Sequence, residues 1–472
     1  MSSMVELPLW LLIIIIAFAF IMVLDRILLP SVRWFFRRKV NKIIGEVNDK
    51  LSIQIRSFQL TRKQTLVDRL VFDEQVFAAI RQYAKDNDMP MEVAQEKAYE
   101  YAREIVPKFN AYMYFKFGHW LSKTISRLIY RMKVGFYDDG ELQKIDPKSS
   151  VVFVMNHRSN MDYVVVSFLV MNRTALSYAV GEWARVWPLA TLIRSMGAFF
   201  VRRNSNNPLY RKVLERYVHY STRAGVSQAV YPEGGLSKDG LLKSPKLGFI
   251  DYLLRDFNPE TDRDIVFIPV GLNYDRVIED RSLERSRHKD LPKQSKWFVF
   301  KTTAKFALKT LFMKRKERWK RFGYAGVNFA KPVSAKDYFK SLKAPLNTLD
   351  KEERIAQVKS FTEDLMTDIA QVVPVLPVAL VSSVIKDYQF KSHSREELLD
   401  ACCAKIEKLR ALGAPVKIKE QAFDGILTKT LDLLVGRELL LEKNGLFCVT
   451  DNSQPIISYY ANSLAQWDNI GH

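Results

Sequence analysis

The chain opens with one uninterrupted apolar run before its pattern becomes mixed. Residues 8–24 read PLWLLIIIIAFAFIMVL and contain no charged side chain. Helices that cross a bilayer need roughly 17–25 such residues, so this run lies at the short end of that range. We predict a membrane helix within residues 1–30. A cleaved signal peptide is the alternative, but it requires basic residues ahead of the apolar run, whereas Glu6 stands there.

Residues 31–140 are predicted to form a helical region, because from Phe72 to Lys133 helix formers are frequent and breakers are few. Near its end, apolar and neutral side chains recur at the spacing of one helix face, namely Phe117, Trp120, Leu121, Thr124, Ile125, Leu128, Ile129 and Met132. Basic residues lie between them. The pattern favours a helix that packs this face on the core. A helix lying in an anionic membrane surface is the alternative.

From Val151 onward, short β-branched runs alternate with helical stretches. The runs are residues 151–155, 175–180, 199–201, 228–231 and 265–270. Alternation of this kind is typical of α/β domains. The sequence therefore predicts an α/β domain over residues 141–340.

Residues 341–472 are predicted to be mainly helical. One apolar stripe precedes Pro374, formed by Ile355, Val358, Phe361, Leu365 and Ile369. Ser394 and Glu397 have the spacing of a capping box, for a helix that ends at Gly413. Asn444-Gly445 is a favourable hairpin turn between two apolar runs. A helix followed by a hairpin also fits a small winged-helix-like unit, although we expect no nucleic acid as a partner.

The charge of the chain indicates an anionic partner. Lys and Arg number 72 against 52 Asp and Glu, which gives a net charge of +20. Nucleic acid, an anionic membrane surface and a phosphorylated substrate are the candidates. Basic residues follow the apolar run, and by the positive-inside rule they place the body of the protein on the cytoplasmic side of the cell membrane. The three cysteines, two of them adjacent, form no disulfide framework.

The densest signal for a reactive site is the segment Asn156-His157-Arg158-Ser159-Asn160-Met161-Asp162. It follows a predicted strand, where α/β proteins place their reactive groups. Residues five apart do not share a helix face, so we expect His157 on a turn and Asp162 in the first turn of the next helix. A carboxylate bonded to one ring nitrogen leaves the other free to accept a proton. The pair predicts a general base; turn and cap residues are the alternative for an isolated pair.

Three further blocks follow at predicted strand ends: GAFFVRR at 197–203, YPEGGLSKDG at 231–240 and IPVGLNY at 268–274. Together with the first, and in this order, they resemble the four conserved blocks of the glycerolipid acyltransferases. Within that superfamily the resemblance is closest to bacterial glycerol-3-phosphate acyltransferases. Segments 376–386 and 459–465 are similar to the same family. The resemblance extends in patches from about residue 100 to the end.

The resemblance implies a mixed sheet with flanking helices and an O-acyltransferase without metal or cofactor. The acyl donor would be acyl-CoA or acyl carrier protein, and the acceptor would be the sn-1 hydroxyl of glycerol-3-phosphate. His157 would be the base and Asp162 its partner. Arg202 and Arg203 would bind the acceptor phosphate, and Glu233 and Gly234 would shape its pocket. Pro269 would set the fourth block, near the donor.

One position departs from the family's pattern. The family usually has an arginine two places after the glycine of the Glu-Gly pair, and here that position is Leu236. We expect the lost phosphate contact to move to Lys238 or Lys243. Acylation of lysophosphatidic acid or another phosphorylated lipid is therefore the alternative function. A non-catalytic membrane-binding or nucleic-acid-binding protein would explain the charge but would not need His157 and Asp162 together.

Overall fold

The computed structural model of the chain describes residues 55–468 except 112, 137–141, 143, 171–173, 182–188, 203–204, 288–321, 343, 417 and 419–421. The membrane helix predicted within residues 1–30 lies outside the described residues. Among those described, no helix has both the length and the apolar character needed to cross a bilayer.

The centre of the fold is an eight-stranded sheet. Its strands in space follow the order β1-β7-β6-β2-β5-β3-β4, and β8 pairs with β6. β2 runs parallel to β5 and β6, whereas β7 and β8 run antiparallel to β6, so the predicted mixed sheet is confirmed. The strands are β1 Arg131–Phe136, β2 Ser150–Met155, β3 Ser177–Val180, β4 Phe199–Phe200, β5 Gln228–Val230, β6 Ile265–Tyr274, β7 Tyr324–Phe329 and β8 Val333–Ser334.

Each of the five predicted strand runs contains a strand of this sheet, but the helical prediction continued too far. The helix ends at Ile129, and β1 pairs in parallel with β7 at the edge of the sheet. Met132 and Val134 pack against the core at the two-residue spacing of a strand. The prediction of a helix as far as Lys133 is therefore wrong over its last residues. Met132 fits both the spacing of a helix face and the two-residue spacing of a strand. The domain limits at 30, 140 and 340 stay predictions.

Helices flank the sheet on both faces. A π-helical turn, Met113–Gly118, precedes α5. The helices up to the end of the sheet region are α1 Ser57–Leu60, α2 Lys63–Val71, α3 Glu74–Asp86, α4 Met91–Ile105, α5 His119–Ile129, α6 Asp162–Val170, α7 Leu189–Ser195, α8 Pro208–Arg223, α9 Gly248–Leu254, α10 Asp280–Arg285 and α11 Ala335–Phe339.

Two hydrophobic cores lie on opposite faces of the sheet, and β2 contributes to both because successive side chains of a strand point to opposite faces. Val152 and Val154 belong to the core formed with the N-terminal helices and α8. Val151, Phe153 and Met155 belong to the core formed with the C-terminal helices. All six residues of β2 are buried, which holds the loop that follows this strand on a rigid base.

The helix α5 buries a different face from the one predicted. Trp120 is 59% exposed and Phe117 37% exposed, and no residue of the predicted stripe is buried. Gly118, Ser122 and Ser126 are buried instead, and α5 packs on α6. The expected packing of the stripe on the core is therefore wrong for most of its residues, although Ile129 and Met132 do pack against the core. The small side chains of the adjacent face let α5 approach α6 closely.

The C-terminal region is mainly helical, as predicted. The Ser394–Glu397 capping box is present, and Asn444 and Gly445 both have positive φ in the hairpin turn. The predicted stripe is buried except for Ile355, which is 37% exposed. Its elements are α12 Lys351–Val372, α13 Pro377–Asp387, β9 His393–Ser394, α14 Arg395–Ala411, α15 Phe423–Gly436, β10 Leu440–Lys443, β11 Leu446–Val449, α16 Gln454–Ala461 and α17 Ala465–Asp468, with 3₁₀ turns at Asp451–Ser453 and Asn462–Leu464.

Candidate active site

His157 and Asp162 form a buried pair on the loop between β2 and α6. His157 Nδ1 lies 2.9 Å from Asp162 Oδ2, and the two residues are 2% and 0% exposed. Asp162 is the first residue of α6 and His157 lies on the preceding turn, so the predicted geometry is confirmed. Within the described part of the chain, the second ring nitrogen, Nε2, makes no hydrogen bond, which leaves it available to a substrate.

The Asp162 carboxylate organises this loop. Its Oδ2 also accepts hydrogen bonds from the backbone N–H groups of Arg158, at 2.8 Å, and Ser159, at 3.1 Å. Its Oδ1 accepts one from the Tyr274 hydroxyl at 2.7 Å. A buried carboxylate is stable when donors surround it in this way. Asp162 therefore both orients the His157 ring and fixes the turn that carries it.

One aromatic contact and one amide contact tie the first block, which contains His157, to the third and fourth blocks. The ring stacks on Tyr231, with centroids 4.1 Å apart. Burial raises the pKa of Tyr231 well above its usual value, so this phenol stays neutral. Asn156 bonds both the N–H and the carbonyl of Leu272 on β6, at 2.7 and 2.9 Å. The start of the loop that carries His157 is thus tied to the fourth block.

Glu279 is a further, partly buried acid at the site, and it was not predicted from the sequence. Its Oε2 accepts a hydrogen bond from Ser159 Oγ at 2.7 Å, and its Oε1 accepts from the N–H and the side-chain amide of Asn160, at 3.2 and 3.0 Å. Burial raises the pKa of Glu279, and the charge of Asp162 acts in the same direction. Its only signal in the sequence is an acid shortly after the fourth block.

Glu233 supports His157 through the backbone. Its two oxygens accept hydrogen bonds from the N–H groups of His157, at 2.8 Å, and Lys243, at 3.3 Å. Burial raises the pKa of Glu233, which is 4% exposed. Gly234 has φ +68°, a left-handed backbone conformation that favours glycine. The predicted roles of both residues in the acceptor pocket stay predictions.

Among the described residues, the predicted phosphate ligands make no hydrogen bond to the His157 loop. The Nε and Nη2 of Arg202 bond to Glu104, with the Nη2–Oε2 distance at 2.7 Å. Arg203 lies outside the described residues. Lys238 is exposed, with Nζ 3.5 Å from the Ser286 carbonyl oxygen. The Lys243 Nζ does lie near Leu236, the position that departs from the family's pattern, because it donates a hydrogen bond to the Leu236 carbonyl at 2.8 Å. Pro269 is buried on β6.

Two family models match the chain in succession. The first, described as acyltransferase, matches residues 138–273 and contains the first three blocks and most of the fourth. The second, described as the glycerol-3-phosphate acyltransferase C-terminal region, matches residues 308–467. The similar segments at 376–386 and 459–465 fall inside this second match.

Curated relatives point in the same direction. The glycerol-3-phosphate acyltransferase of Pseudomonas putida KT2440 is 32% identical over 279 residues, which cover 58% of this chain and 32% of that protein. The one from Pseudomonas syringae pv. syringae B728a is 27% identical over 423 residues, or 86% of this chain and 48% of that protein. The chain thus spans less than half the length of these two relatives.

A solved structure also matches, although weakly. The crystal structure of the 1-acyl-sn-glycerophosphate acyltransferase from Thermotoga maritima is 18% identical and covers 58% of this chain and 83% of that chain, with a TM-score of 0.29. We draw nothing from a score this low. The two family models and the curated relatives show that the chain is similar to proteins of the acyltransferase superfamily and, over part of their length, to bacterial glycerol-3-phosphate acyltransferases.

Proposed function

We propose that the protein transfers an acyl chain from acyl-CoA or acyl carrier protein to the sn-1 hydroxyl of glycerol-3-phosphate, with His157 as general base. The observation that carries this proposal is the buried His157–Asp162 pair. Because Asp162 accepts a hydrogen bond from the Nδ1–H group, the lone pair of the ring lies on Nε2, where it can take a proton from a hydroxyl. The name shared by the curated relatives supports this acceptor.

In this reaction the acceptor oxygen gives its proton to His157 Nε2 while it attacks the thioester carbonyl carbon. The C–S bond breaks, an ester forms, and the imidazolium returns the proton to the leaving thiolate. Asp162 stabilises the imidazolium by its negative charge, since the other partners of this carboxylate are neutral donors. Acyl transfer is direct in this scheme.

The acceptor phosphate requires positive charge near the third block. In the proposal Arg202 and Arg203 contribute it together with Lys238, and Arg202 has to exchange Glu104 for the phosphate. Lysophosphatidic acid is the second candidate acceptor. The specific observation in its favour is Leu236, a partly buried apolar side chain that could contact an acyl chain.

Thiol release from acyl-CoA tests the proposal. The full-length chain in detergent is given glycerol-3-phosphate, lysophosphatidic acid or no acceptor, and free thiol is measured over time. We expect release that depends on glycerol-3-phosphate. Thiol release with lysophosphatidic acid but not with glycerol-3-phosphate would identify the second candidate as the acceptor. No release with either compound would rule out both acceptors.

We further propose that the enzyme works at the cytoplasmic face of the cell membrane. The exposed apolar side chains of α5, Phe117 and Trp120, support this location, because exposed Lys116, Lys123 and Arg127 surround them and can contact anionic headgroups. Protease added outside intact cells should leave the catalytic domain uncut. Cleavage of this domain from outside would reverse the topology.

A further inference from the structure

Three arginines are buried in the described part of the chain, and their charges are balanced differently. Arg216 bonds to Asp73 at 3.0 Å and to Asp256 at 2.9 Å. Arg437 bonds to Asp280. Arg158, which is 2% exposed, forms no ion pair in this part of the chain. An isolated buried cation is unfavourable unless an anion accompanies it.

The guanidinium of Arg158 uses only one of its donors. Nη1 donates to the Gly240 carbonyl, while Nε and Nη2 are buried and have no hydrogen-bond partner among the described residues. The nearby acid, Glu233, already accepts N–H groups with both oxygens. The unused Nε and Nη2 form the edge of the guanidinium that presents two parallel N–H groups. Such an edge matches two oxygens of a phosphate.

The structure holds this guanidinium in place. The Asn462 side-chain amide donates to the Asp239 carbonyl at 2.8 Å, and the Tyr459 hydroxyl lies 3.5 Å from the Arg158 carbonyl oxygen. A Cβ on Gly240 would lie 1.8 Å from the Tyr459 carbonyl oxygen, so the C-terminal segment presses directly on this loop. The segment 459–465 therefore supports the loop that accepts the Nη1 hydrogen bond of Arg158.

We propose that the Nε–Nη2 edge of Arg158 binds the phosphate monoester of the acceptor, in place of the arginine that Leu236 replaces. This inference rests on the proposed function. His157 and Arg158 are consecutive, so the base and the anion-binding group belong to one loop. That arrangement suits a small acceptor with a hydroxyl at one end of a three-carbon chain and a phosphate at the other. The alternative arginine, Arg202, is already bonded to Glu104 through the same edge.

Two variants of the full-length chain test the assignment. Arg158→Lys keeps the charge but loses the parallel donors, and Arg158→Met removes the charge at similar volume. Because hydrogen bonds to charged groups are lost, Arg158→Lys should raise the KM for glycerol-3-phosphate by about tenfold or more and leave the acyl-CoA KM nearly unchanged. Glycerol-3-phosphate alone should raise the Tm of the wild type and not that of Arg158→Lys.

Two other arginines supply matched controls. Arg216→Lys, which changes a buried arginine in the other core, should leave the acceptor KM unchanged. Without ligand, Arg158→Met should lower the Tm less than Arg437→Met, because Arg158 forms no ion pair among the described residues, whereas Arg437→Met leaves Asp280 unpaired. Adding Leu236→Arg to Arg158→Lys should restore part of the acceptor affinity.

Several results would overturn the inference. The first is that Arg158→Lys leaves both the acceptor KM and the ligand-dependent rise in Tm unchanged. The second is that Arg158→Lys raises only the acyl-CoA KM, which would assign Arg158 to a phosphate of the donor. The third is that both Arg158 variants misfold while Arg216→Lys folds. Failure of the proposed reaction is distinguishable. In that case no acceptor gives thiol release, yet glycerol-3-phosphate still raises the Tm of the wild type and not of Arg158→Lys.

Discussion

The described part of the chain contains two histidine–aspartate pairs with similar contacts and different surroundings. His157 Nδ1 lies 2.9 Å from Asp162, and His219 Nδ1 lies 3.2 Å from Asp256. The second pair sits on α8 beside a cavity of about 100 Å³. Contact with a carboxylate is thus common to the site we propose as catalytic and to a second histidine for which we propose no such role.

The charges around each carboxylate separate the two pairs. Asp162 receives hydrogen bonds only from neutral donors apart from the imidazole, so its full charge acts on His157. Asp256 also pairs with Arg216 and its side chain is 34% exposed. Burial and the positive charge of Arg216 lower the pKa of His219. In the proposed base, unlike the second pair, the carboxylate is thus not shared with a cation among the described residues.

The largest expected effect compares the two histidines directly. His157→Ala should lower turnover by roughly 10²–10⁴-fold, the usual contribution of general-base catalysis. His219→Ala removes the same side chain from a similar pair and should leave turnover near the wild-type value. Thiol release measures both, and circular dichroism checks that both variants fold. Equal losses in the two variants would contradict the comparison.

The local part of this site could be predicted from the sequence, because His157 and Asp162 are five residues apart on one turn. Their other partners could not. Tyr274 and Glu279 reach the loop from more than a hundred positions away, through the pairing of β2 with β6. The pairing of Arg202 with Glu104 spans 98 positions, and the sequence gives no means of choosing this carboxylate among the many available.

In the fold, too, local patterns could be predicted from the sequence, and packing between distant segments could not. Strand runs were recognisable from short β-branched segments, since each is a local pattern that a buried parallel strand requires. Which face of α5 is buried was not recognisable, because Gly118, Ser122 and Ser126 are buried while the apolar residues of the predicted stripe are only partly buried or exposed. Apolar spacing identified the helix correctly, but the shape of its neighbour decides which face it buries.

A second test removes one donor from the catalytic carboxylate. Tyr274→Phe deletes the hydroxyl that bonds Asp162 Oδ1, and hydrogen bonds to charged groups contribute about 1.5–3 kcal/mol. We expect kcat to fall by roughly tenfold and the Tm to fall, with the acceptor KM little changed. Tyr338→Phe is the matched control, because it breaks a tyrosine–aspartate bond with the exposed Asp364. A wild-type kcat in Tyr274→Phe would show that this donor is dispensable.

Glu279→Gln should have a smaller effect. Glutamine keeps one acceptor oxygen, so either Ser159 or Asn160 loses its bond. We expect kcat to fall a few-fold, which corresponds to less than about 1.4 kcal/mol, with an unchanged acceptor KM. Protonation of Glu279 should contribute to the acid limb of the wild-type kcat profile, because burial raises its pKa. The limb should become less steep in the variant; identical pH profiles would assign Glu279 to stability alone.

The smallest effect concerns the stability of the second pair. Burial lowers the pKa of His219 in the folded protein, so below about pH 6.5 the unfolded chain binds a proton more readily than the folded chain. Stability from this histidine is therefore present above pH 6.5 and is lost as the pH falls through that value. Thermal unfolding at pH 7.5 and 5.5 should show a smaller acid-induced fall in Tm for His219→Gln than for the wild type. An equal fall would mean that the pKa of His219 does not differ between the folded and the unfolded chain, and a larger fall in the variant would mean that Asp256 stabilises His219 as a cation.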